Sequence, residues 1–227
     1  MISLLRVVTL KGARKAPSLQ FKMERELRLS LTLTASSSGA LFIKRESPLT
    51  RGKDPLRKAF LKKRREISSK RRSVARDRAF ETLYKALGDL EHVLSFGSNE
   101  EEIDLWPLNH QLASENRLVL LHLSKMVLTP FKVSSITQLQ KNEVYPFLEP
   151  NPRLCKCAEL DALSVALIPG VVFDQENQRY GYGKGFYDRL LPRLTCPTWG
   201  VGFEEQRSPL PLEVEAHDIP VTRLFLF

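Results

Sequence analysis

One short segment of the chain has the residue types and spacing of a phosphate site. Residues 179–189 read RYGYGKGFYDR. Glycines at alternate positions let the backbone approach a ligand closely and adopt positive φ, so that successive N–H groups can face an anion. Lys184 adds a point charge suited to phosphate oxygens, and Asp188 is a hard oxygen ligand for a phosphate-bound Mg²⁺. These features predict a site for a nucleoside triphosphate.

The segment is not a P-loop. That motif has four residues between its first glycine and the Gly-Lys pair, and a serine or threonine follows. Here Lys184 lies between two glycines and an aromatic residue follows. By spacing alone, a glycine-rich turn that joins a strand to a helix explains the segment equally well.

The composition limits the classes of protein to which the chain can belong. Its 227 residues are 42% hydrophobic, enough for an ordinary core. No apolar run reaches the length of a bilayer span, so we expect no membrane association. The three cysteines form an odd set without zinc-site spacing, which favours free thiols in a reducing compartment and a cytoplasmic location.

The net charge of +9 is unevenly distributed. Residues 1–52 hold ten Lys/Arg and three Glu, a balance of +7, which leaves only +2 for residues 53–227. The charge runs at 62–65 and 70–72 have no interleaved aromatic residues, so we expect a solvated helix face and no nucleic-acid partner. Residues 1–52 lack periodicity, and we expect a basic, disordered extension. Their composition also resembles a transit peptide, so organellar targeting by residues 1–50 stays open.

Regular structure is predicted to begin at residue 53. Asp54 is a good N-cap and Pro55 suits the first helical position. A second helix is predicted from residue 69 or 73 to residue 87, ending at Gly88. The predicted inward-facing residues of the two helices are Leu56, Phe60, Ile67, Val74, Phe80, Leu83 and Leu87.

Strands and helices alternate after the second helix. The predicted strands are 93–96, 117–123, 163–168, 198–203 and 223–227, and the predicted helices begin near Asp104 and Gly185. Residues 126–152 are predicted to be less regular. This alternation predicts an α/β fold, a three-layer α/β/α sandwich with a largely parallel central sheet. Ligands of such sheets bind beyond the carboxyl ends of the strands, where the glycine loop should lie.

Several segments together point to one family. In chain order they are KDPLR at 53–57, EEID at 101–104, Glu149-Pro150, IPGVVFD at 168–174, the loop 179–189, Gln206 and His217-Asp218. Their order and spacing resemble 5-formyltetrahydrofolate cyclo-ligase, also called methenyltetrahydrofolate synthetase. The resemblance covers residues 53–227, which we interpret as one cyclo-ligase-like domain.

The resemblance implies an ATP-dependent ligase. It implies 5-formyltetrahydrofolate and ATP as substrates, Mg²⁺ as the metal, and 5,10-methenyltetrahydrofolate, ADP and phosphate as products, through a phosphorylated formyl intermediate. A monomer is expected. Another ATP-dependent small-molecule ligase or kinase on the same scaffold stays open, because fold alone does not set the acceptor. A basic nucleic-acid-binding protein is the second alternative, and it rests on the charge runs at 62–65 and 70–72.

The resemblance also assigns roles to individual residues. Arg179 and Lys184 would supply catalytic charge, and Asp188 and Asp218 would bind Mg²⁺. The implied ATP-binding set is Lys53, Arg57, Arg179, Tyr180, Gly181, Tyr182, Gly183, Lys184, Gly185, Phe186 and Tyr187. The implied folate-binding set is Gly97, Glu102, Tyr182, Gly183, Lys184, Gly185 and Phe186.

Several of these residues also suit a different or purely structural role. Glu100 and Glu101 compete with Glu102 for the pterin-binding role, and Tyr187 also suits core packing. His217-Asp218 fits a capped turn equally well. The chain departs from the family pattern at His122-Leu123-Ser124-Lys125, where a proline and a basic residue are usual, and at Phe186, where tyrosine is commoner. These departures concern the expected folate pocket more than the phosphate site.

Overall fold

The computed structural model describes residues 53–227 and, among the first 52 residues, the backbone of three strands. These are β1 (Gln20–Lys22), β2 (Ser30–Ala35) and β3 (Leu41–Glu46), which pair antiparallel in that order. The chain divides into two units, Met1–Arg51 and Gly52–Phe227. The predicted disorder and targeting role of the N-terminal extension otherwise concern residues outside the described ones, and they stay predictions.

Two helices open the second unit. Helix α1 (Lys53–Arg65) carries Asp54 in its first turn, and helix α2 (Ser69–Leu87) follows after a short turn. Ser68 caps α2, since its side chain accepts a hydrogen bond from the Arg71 N–H at 3.2 Å. Gly88 ends α2 with a φ of 47°. The predicted start of regular structure at residue 53 and the predicted bounds of α2 are therefore confirmed, with α2 starting at the earlier of the two positions. Asp54, however, is not the residue before the helix: it lies within the first turn of α1, and its carboxylate accepts a hydrogen bond from Arg57 Nη1.

The remaining elements build a seven-stranded sheet and its connections. In chain order they are β4 (Val93–Leu94), α3 (Trp106–Ser114), β5 (Leu118–Ser124), β6 (Val127–Val133), β7 (Leu139–Lys141), β8 (Leu148–Pro150), β9 (Lys156–Cys157), β10 (Val165–Pro169), β11 (Val172–Phe173), β12 (Arg179–Tyr180), α4 (Phe186–Leu190), β13 (Thr198–Gly202) and β14 (Arg223–Leu226). The sheet order is β14-β13-β10-β4-β5-β6-β9. Strands β14 to β5 pair in parallel, and β6 and β9 are added antiparallel.

Successive residues of the central strands face opposite sides of the sheet. Val93, Leu118 and Leu167 join one buried cluster with α2 and α3, while Leu94 and Ala166 join another with α4. Both faces of the sheet are therefore covered by helices. The predicted three-layer α/β/α sandwich with a largely parallel sheet is confirmed. None of the described helices is long and apolar enough to span a membrane.

The prediction of a less regular region at 126–152 is wrong. Strand β6 runs through it, and β7 and β8 form a small antiparallel pair. Strand β6 contains Pro130, and β9 pairs only with Phe131 and Lys132 of β6. Most of β6 is therefore an edge strand, where proline is tolerated.

One predicted core position in α2 is also wrong. Val74 is 46% exposed, and the buried stripe begins instead at Ala75. Ala75, Ala79, Leu83 and Leu87 follow one another at intervals of four residues, so they share one face of the helix.

Candidate active site at the carboxyl ends of the parallel strands

The start of α1 brings two basic side chains to the site. The Lys53 ammonium lies 2.7 Å from Asp218 Oδ2 and 2.8 Å from Glu215 Oε1. Burial opposes its charged form, but these two acidic partners outweigh burial and raise the pKa of Lys53. Burial likewise opposes ionisation of Asp218, yet the hydrogen bond from Lys53 prevails and lowers the pKa of that carboxyl.

Arg57, one turn further along α1, contacts the glycine loop directly. Its Nε donates to the Gly181 carbonyl at 2.9 Å, and its Nη1 pairs with Asp54 at 2.5 Å. The guanidinium lies over the Tyr180 ring, 5.5 Å from the ring centroid. Residue 57 therefore contacts the glycine loop, and residue 53 lines the same cavity.

The loop between β12 and α4 contains two residues in the left-handed region. Gly183 has a φ of 83° and Gly185 a φ of 67°. A Cβ at position 185 would lie 2.7 Å from Arg189 Nη1. At both positions glycine adopts the conformation without strain, which supports the prediction that the loop needs these residues. Lys184, between them, is exposed at the tip of the loop.

Arg179 and Asp188 form an ion pair below the loop. Arg179 Nη2 donates to Asp188 Oδ1 at 2.5 Å, and Arg179 Nη1 lies 3.4 Å from the Pro169 carbonyl at the end of β10. The Arg179 side chain is only 3% exposed, whereas that of Asp188 is 34% exposed. The partly buried Tyr187 packs beside Leu190 and Leu191, and loss of solvent around its hydroxyl raises its pKa. Its ring also lies near Arg179, with 5.6 Å between the guanidinium and the ring centroid.

These side chains line a cavity of about 330 Å³. Lys53, Arg57, Arg179 and the glycine loop meet there with both predicted metal ligands, Asp188 and Asp218. Glu215 and His217 complete the lining and were not predicted for it. A larger cavity of about 780 Å³ lies near the C-terminal ends of α2 and α3 and includes none of the predicted site residues.

Glu100, Glu101 and Glu102 form an acidic corner after β4, and their contacts differ. Glu101 pairs with Arg65 at 2.6 Å and with Arg64 at 3.4 Å. Glu100 is exposed. Glu102 accepts a hydrogen bond from the Asn99 N–H at 3.2 Å. Burial raises the pKa of Glu102, against the opposing effects of the Asn99 hydrogen bond and the Arg64 charge.

Gly97 lies at the same corner because no side chain would fit there. A Cβ at this position would lie 2.5 Å from the Leu148 carbonyl oxygen and 3.4 Å from the Trp106 ring. The chain after β4 therefore passes directly against β8. This close contact places Gly97 between the acidic corner and the segment 142–148.

An aromatic group from that segment meets the glycine loop, and the sequence reasoning missed it. The Tyr145 ring lies edge-on to Phe186, with centroids 5.8 Å apart, and stacks with Phe147 at 5.9 Å. Phe186 therefore has an apolar partner from the segment 142–148. The pair Tyr145 and Phe147, two residues apart before Glu149-Pro150, was the signal present in the sequence.

Comparison with known proteins decides the family. The profile of the 5-formyltetrahydrofolate cyclo-ligase family matches residues 49–225. The chain belongs to the 5-formyltetrahydrofolate cyclo-ligase family. It is 32% identical to the 5-formyltetrahydrofolate cyclo-ligase of Escherichia coli K12 over 138 residues, which are 57% of this chain and 74% of that enzyme. It is 36% identical to the cyclo-ligase of Saccharomyces cerevisiae over 87 residues, and this match spans 34% of the chain and 40% of the yeast protein.

Solved structures agree with the family assignment. The 5,10-methenyltetrahydrofolate synthetase of Aquifex aeolicus superposes with a TM-score of 0.67 at 29% identity, over 75% of this chain and 87% of that one. The Mycoplasma pneumoniae synthetase gives 0.60 at 19% identity, over 75% of this chain and 96% of the other, and it shows the shared fold. The predicted resemblance to the cyclo-ligase family is therefore confirmed.

The carboxylates of this cyclo-ligase family member suit a metal that arrives with a nucleotide. Among residues 53–227, no three His, Cys, Asp or Glu side chains are gathered as a metal cluster. Mg²⁺, however, is usually held by one or two carboxylates together with substrate phosphates and water. Asp188 and Asp218 line one cavity with Lys53 and Arg57, so the donor set fits Mg²⁺ bound to a phosphate chain.

Proposed function

We propose that the protein is an ATP-dependent ligase that converts 5-formyltetrahydrofolate to 5,10-methenyltetrahydrofolate, with release of ADP and phosphate. One observation carries the proposal: the two basic residues of α1, the left-handed glycines and the two aspartates share a single cavity. Such a set of backbone, cationic and carboxylate groups is what phosphoryl transfer requires, because this chemistry depends on positioning and charge stabilisation. Membership of the cyclo-ligase family supports the choice of folate as the acceptor.

The triphosphate is proposed to lie between α1 and the glycine loop. Lys53 would exchange its contacts with Glu215 and Asp218 for phosphate oxygens, and Arg57 would add its guanidinium beside them. Lys184 is assigned to the transferring phosphoryl group. Asp188 and Asp218 would hold Mg²⁺, which would neutralise charge on the phosphates.

The folate is proposed to lie on the other side of the loop. The carboxylate of Glu102 would accept hydrogen bonds from the pterin ring. The aromatic rings of Tyr145, Phe147 and Phe186 would form an apolar wall for the substrate. Gly97 would let the substrate approach the chain closely, since it carries no side chain.

The proposed reaction has two steps, phosphorylation of the formyl oxygen and ring closure by nitrogen 10. The formyl oxygen attacks the γ-phosphorus, an O–P bond forms, and the bond between the γ-phosphorus and the bridging oxygen of ADP breaks. Nitrogen 10 next attacks the activated formyl carbon, the carbon–oxygen bond breaks, and phosphate leaves. The proton of nitrogen 10 is released, which yields the 5,10-methenyl product. The phosphorylation step turns a poor leaving group into a good one.

A direct assay tests this proposal. Purified protein with ATP and Mg²⁺ is expected to convert 5-formyltetrahydrofolate, seen as the near-ultraviolet absorbance of the methenyl product. Omitting ATP or Mg²⁺ should stop the reaction, and one ADP should form for each product molecule. Folded protein that produces ADP with another acceptor but no methenyl product would move the assignment to a different ligase or kinase.

A further inference from the structure

Arg64 is a buried arginine outside the nucleotide cavity. Its side chain is 1% exposed, although it lies in the basic run at the end of α1. Nη1 lies 3.4 Å from the Gly170 carbonyl, and Nη2 donates to the Tyr182 hydroxyl. The guanidinium also lies over the Tyr182 ring, 5.3 Å from its centroid. Nε has no hydrogen-bond partner among the described residues.

Through Arg64, α1 contacts the glycine loop at a second point. Arg57 already holds the Gly181 carbonyl, and Arg64 holds the side chain of the next loop residue, Tyr182. The two arginines are seven residues apart, about two helical turns, so they lie on the same face of α1. Successive residues of the loop are thus attached to one rigid helix.

The same guanidinium contacts the acidic corner. Nη2 lies 3.4 Å from Glu101 Oε2, and Glu101 directly precedes the predicted pterin-binding Glu102. Burying a charge costs free energy, and the partners of Arg64 offset that cost only in part because its Nε stays unpaired among the described residues. What the geometry shows directly is that one guanidinium joins α1 to both the glycine loop and the acidic corner.

We propose that Arg64 is a positioning residue. Through Tyr182 it holds the glycine loop against the corner that contains Glu101. This contact fixes the position of the proposed phosphate site relative to the proposed folate site. The inference rests on the proposed function for what the two sides bind. The attachment of the glycine loop to α1 can be measured without substrate.

The test compares Arg64→Met, Arg64→Lys, Tyr182→Phe and the Arg64→Met/Tyr182→Phe double variant. Lys62→Met is the matched control, because Lys62 is on the same helix and its side chain is 81% exposed. The first readout is trypsin cleavage after Lys184 in ligand-free protein, followed as the peptide that ends there. The second readout is the KM for ATP and kcat of the folate reaction, with the melting temperature measured alongside.

Each single loss of the contact is expected to speed cleavage after Lys184 and to raise KM for ATP by roughly tenfold, the scale of one hydrogen bond to a charged group. The double variant should be no worse than the more affected single variant, because both changes remove the same contact. Arg64→Lys should recover part of the effect, since an ammonium reaches fewer partners than a guanidinium. The Lys62→Met variant should match the parent.

Two results would overturn the proposal. One is a Tyr182→Phe variant that is cleaved at the parental rate and has the parental KM. The other is a double variant whose effects equal the product of the two single effects. If Arg64→Met fails to fold, Tyr182→Phe decides alone, because Tyr182 is 45% exposed and loss of its hydroxyl spares the core. A parent without turnover would refute the proposed function, and the cleavage rates would still decide the positioning role.

Discussion

Asp188 has a predicted role as a metal ligand and an observed ion pair with Arg179, and a single substitution would disturb both. It is the predicted ligand of a nucleotide-bound Mg²⁺, and it is the ion-pair partner of the buried Arg179 at 2.5 Å. Replacing it with asparagine keeps the size and one acceptor oxygen but removes the charge. The Arg179 guanidinium would then remain buried with its Nε unpaired and without a carboxylate partner.

The expected loss of stability follows from the burial of the two partners. Breaking a fully buried ion pair costs about 3–5 kcal/mol, and an exposed pair contributes about 0–1 kcal/mol. Because Arg179 is 3% exposed and Asp188 is 34% exposed, we expect Asp188→Asn to lower the free energy of unfolding by about 2 kcal/mol. In a chain of this size that corresponds to a fall in melting temperature of roughly 4–8 °C.

A second variant separates stability from chemistry. In Arg179→Met/Asp188→Asn the buried charge is gone as well, so most of the lost stability should return, while turnover stays low. Urea unfolding at 25 °C gives the free energies, and the absorbance assay at several Mg²⁺ concentrations gives turnover. Asp77→Asn is the control, because its ion pair with Arg76 is exposed and should contribute less than about 0.5 kcal/mol.

Two outcomes would refute this reasoning. If Asp188→Asn unfolded at the same urea concentration as the parent, Arg179 would not depend on the aspartate for its charge balance. If Asp188→Asn kept full turnover and the parental Mg²⁺ dependence, Asp188 would not be a metal ligand. The first result concerns the fold, and the second concerns the proposed function.

Three further predictions use the same assays. Lys184→Ala should lower kcat by roughly a hundredfold, the scale of one lost charge-stabilising donor, with an unchanged melting temperature because the side chain is exposed; a kcat within a few-fold of the parent would contradict the role of Lys184. Gly97→Ala should lower both the melting temperature and folate affinity, because the new Cβ would lie 2.5 Å from the Leu148 carbonyl; equal stability in thermal unfolding would show that β8 yields easily. The folded-state pKa of Glu102 is raised, so its ionisation costs stability as pH rises through and above the unfolded pKa of about 4.3. Glu102→Gln should therefore be more stable than the parent at pH 7 but not at pH 3, and urea unfolding at the two pH values tests this.

The sequence predicted those parts of the fold that depend on local pattern. Capping residues and periodicity located α1 and α2, and the buried apolar runs located the parallel strands. Strand β6 was not predicted, although it pairs with β5 along its whole length. It contains Pro130, which is tolerated because the two-residue strand β9 leaves most of β6 at the edge of the sheet. Edge position is a property of the whole sheet, so no local window reveals it.

The site shows the same division between local and distant information. The glycine loop and the start of α1 are continuous motifs, and the structure brings both to one cavity. Arg64 was interpreted as part of a solvated charge run, although its side chain is buried against Tyr182, 118 residues away. Glu215 and Tyr145 were likewise missed, because their contacts with Lys53 and Phe186 join segments far apart in the chain.

The contact between Lys53 and Asp218 spans 165 positions of the sequence. A ribosome delivers residues in order, so the first helix of this domain emerges long before the segment that completes its cavity. Until residue 218 is present, Lys53 lacks that partner, and the cavity that both residues line lacks one wall. Contacts so distant in sequence also form late, since closing a long loop costs entropy before the contact stabilises it. If the cavity binds ATP as proposed, a partly synthesised chain is expected to bind no nucleotide, and ATP would stabilise this domain only after nearly all of it has been made.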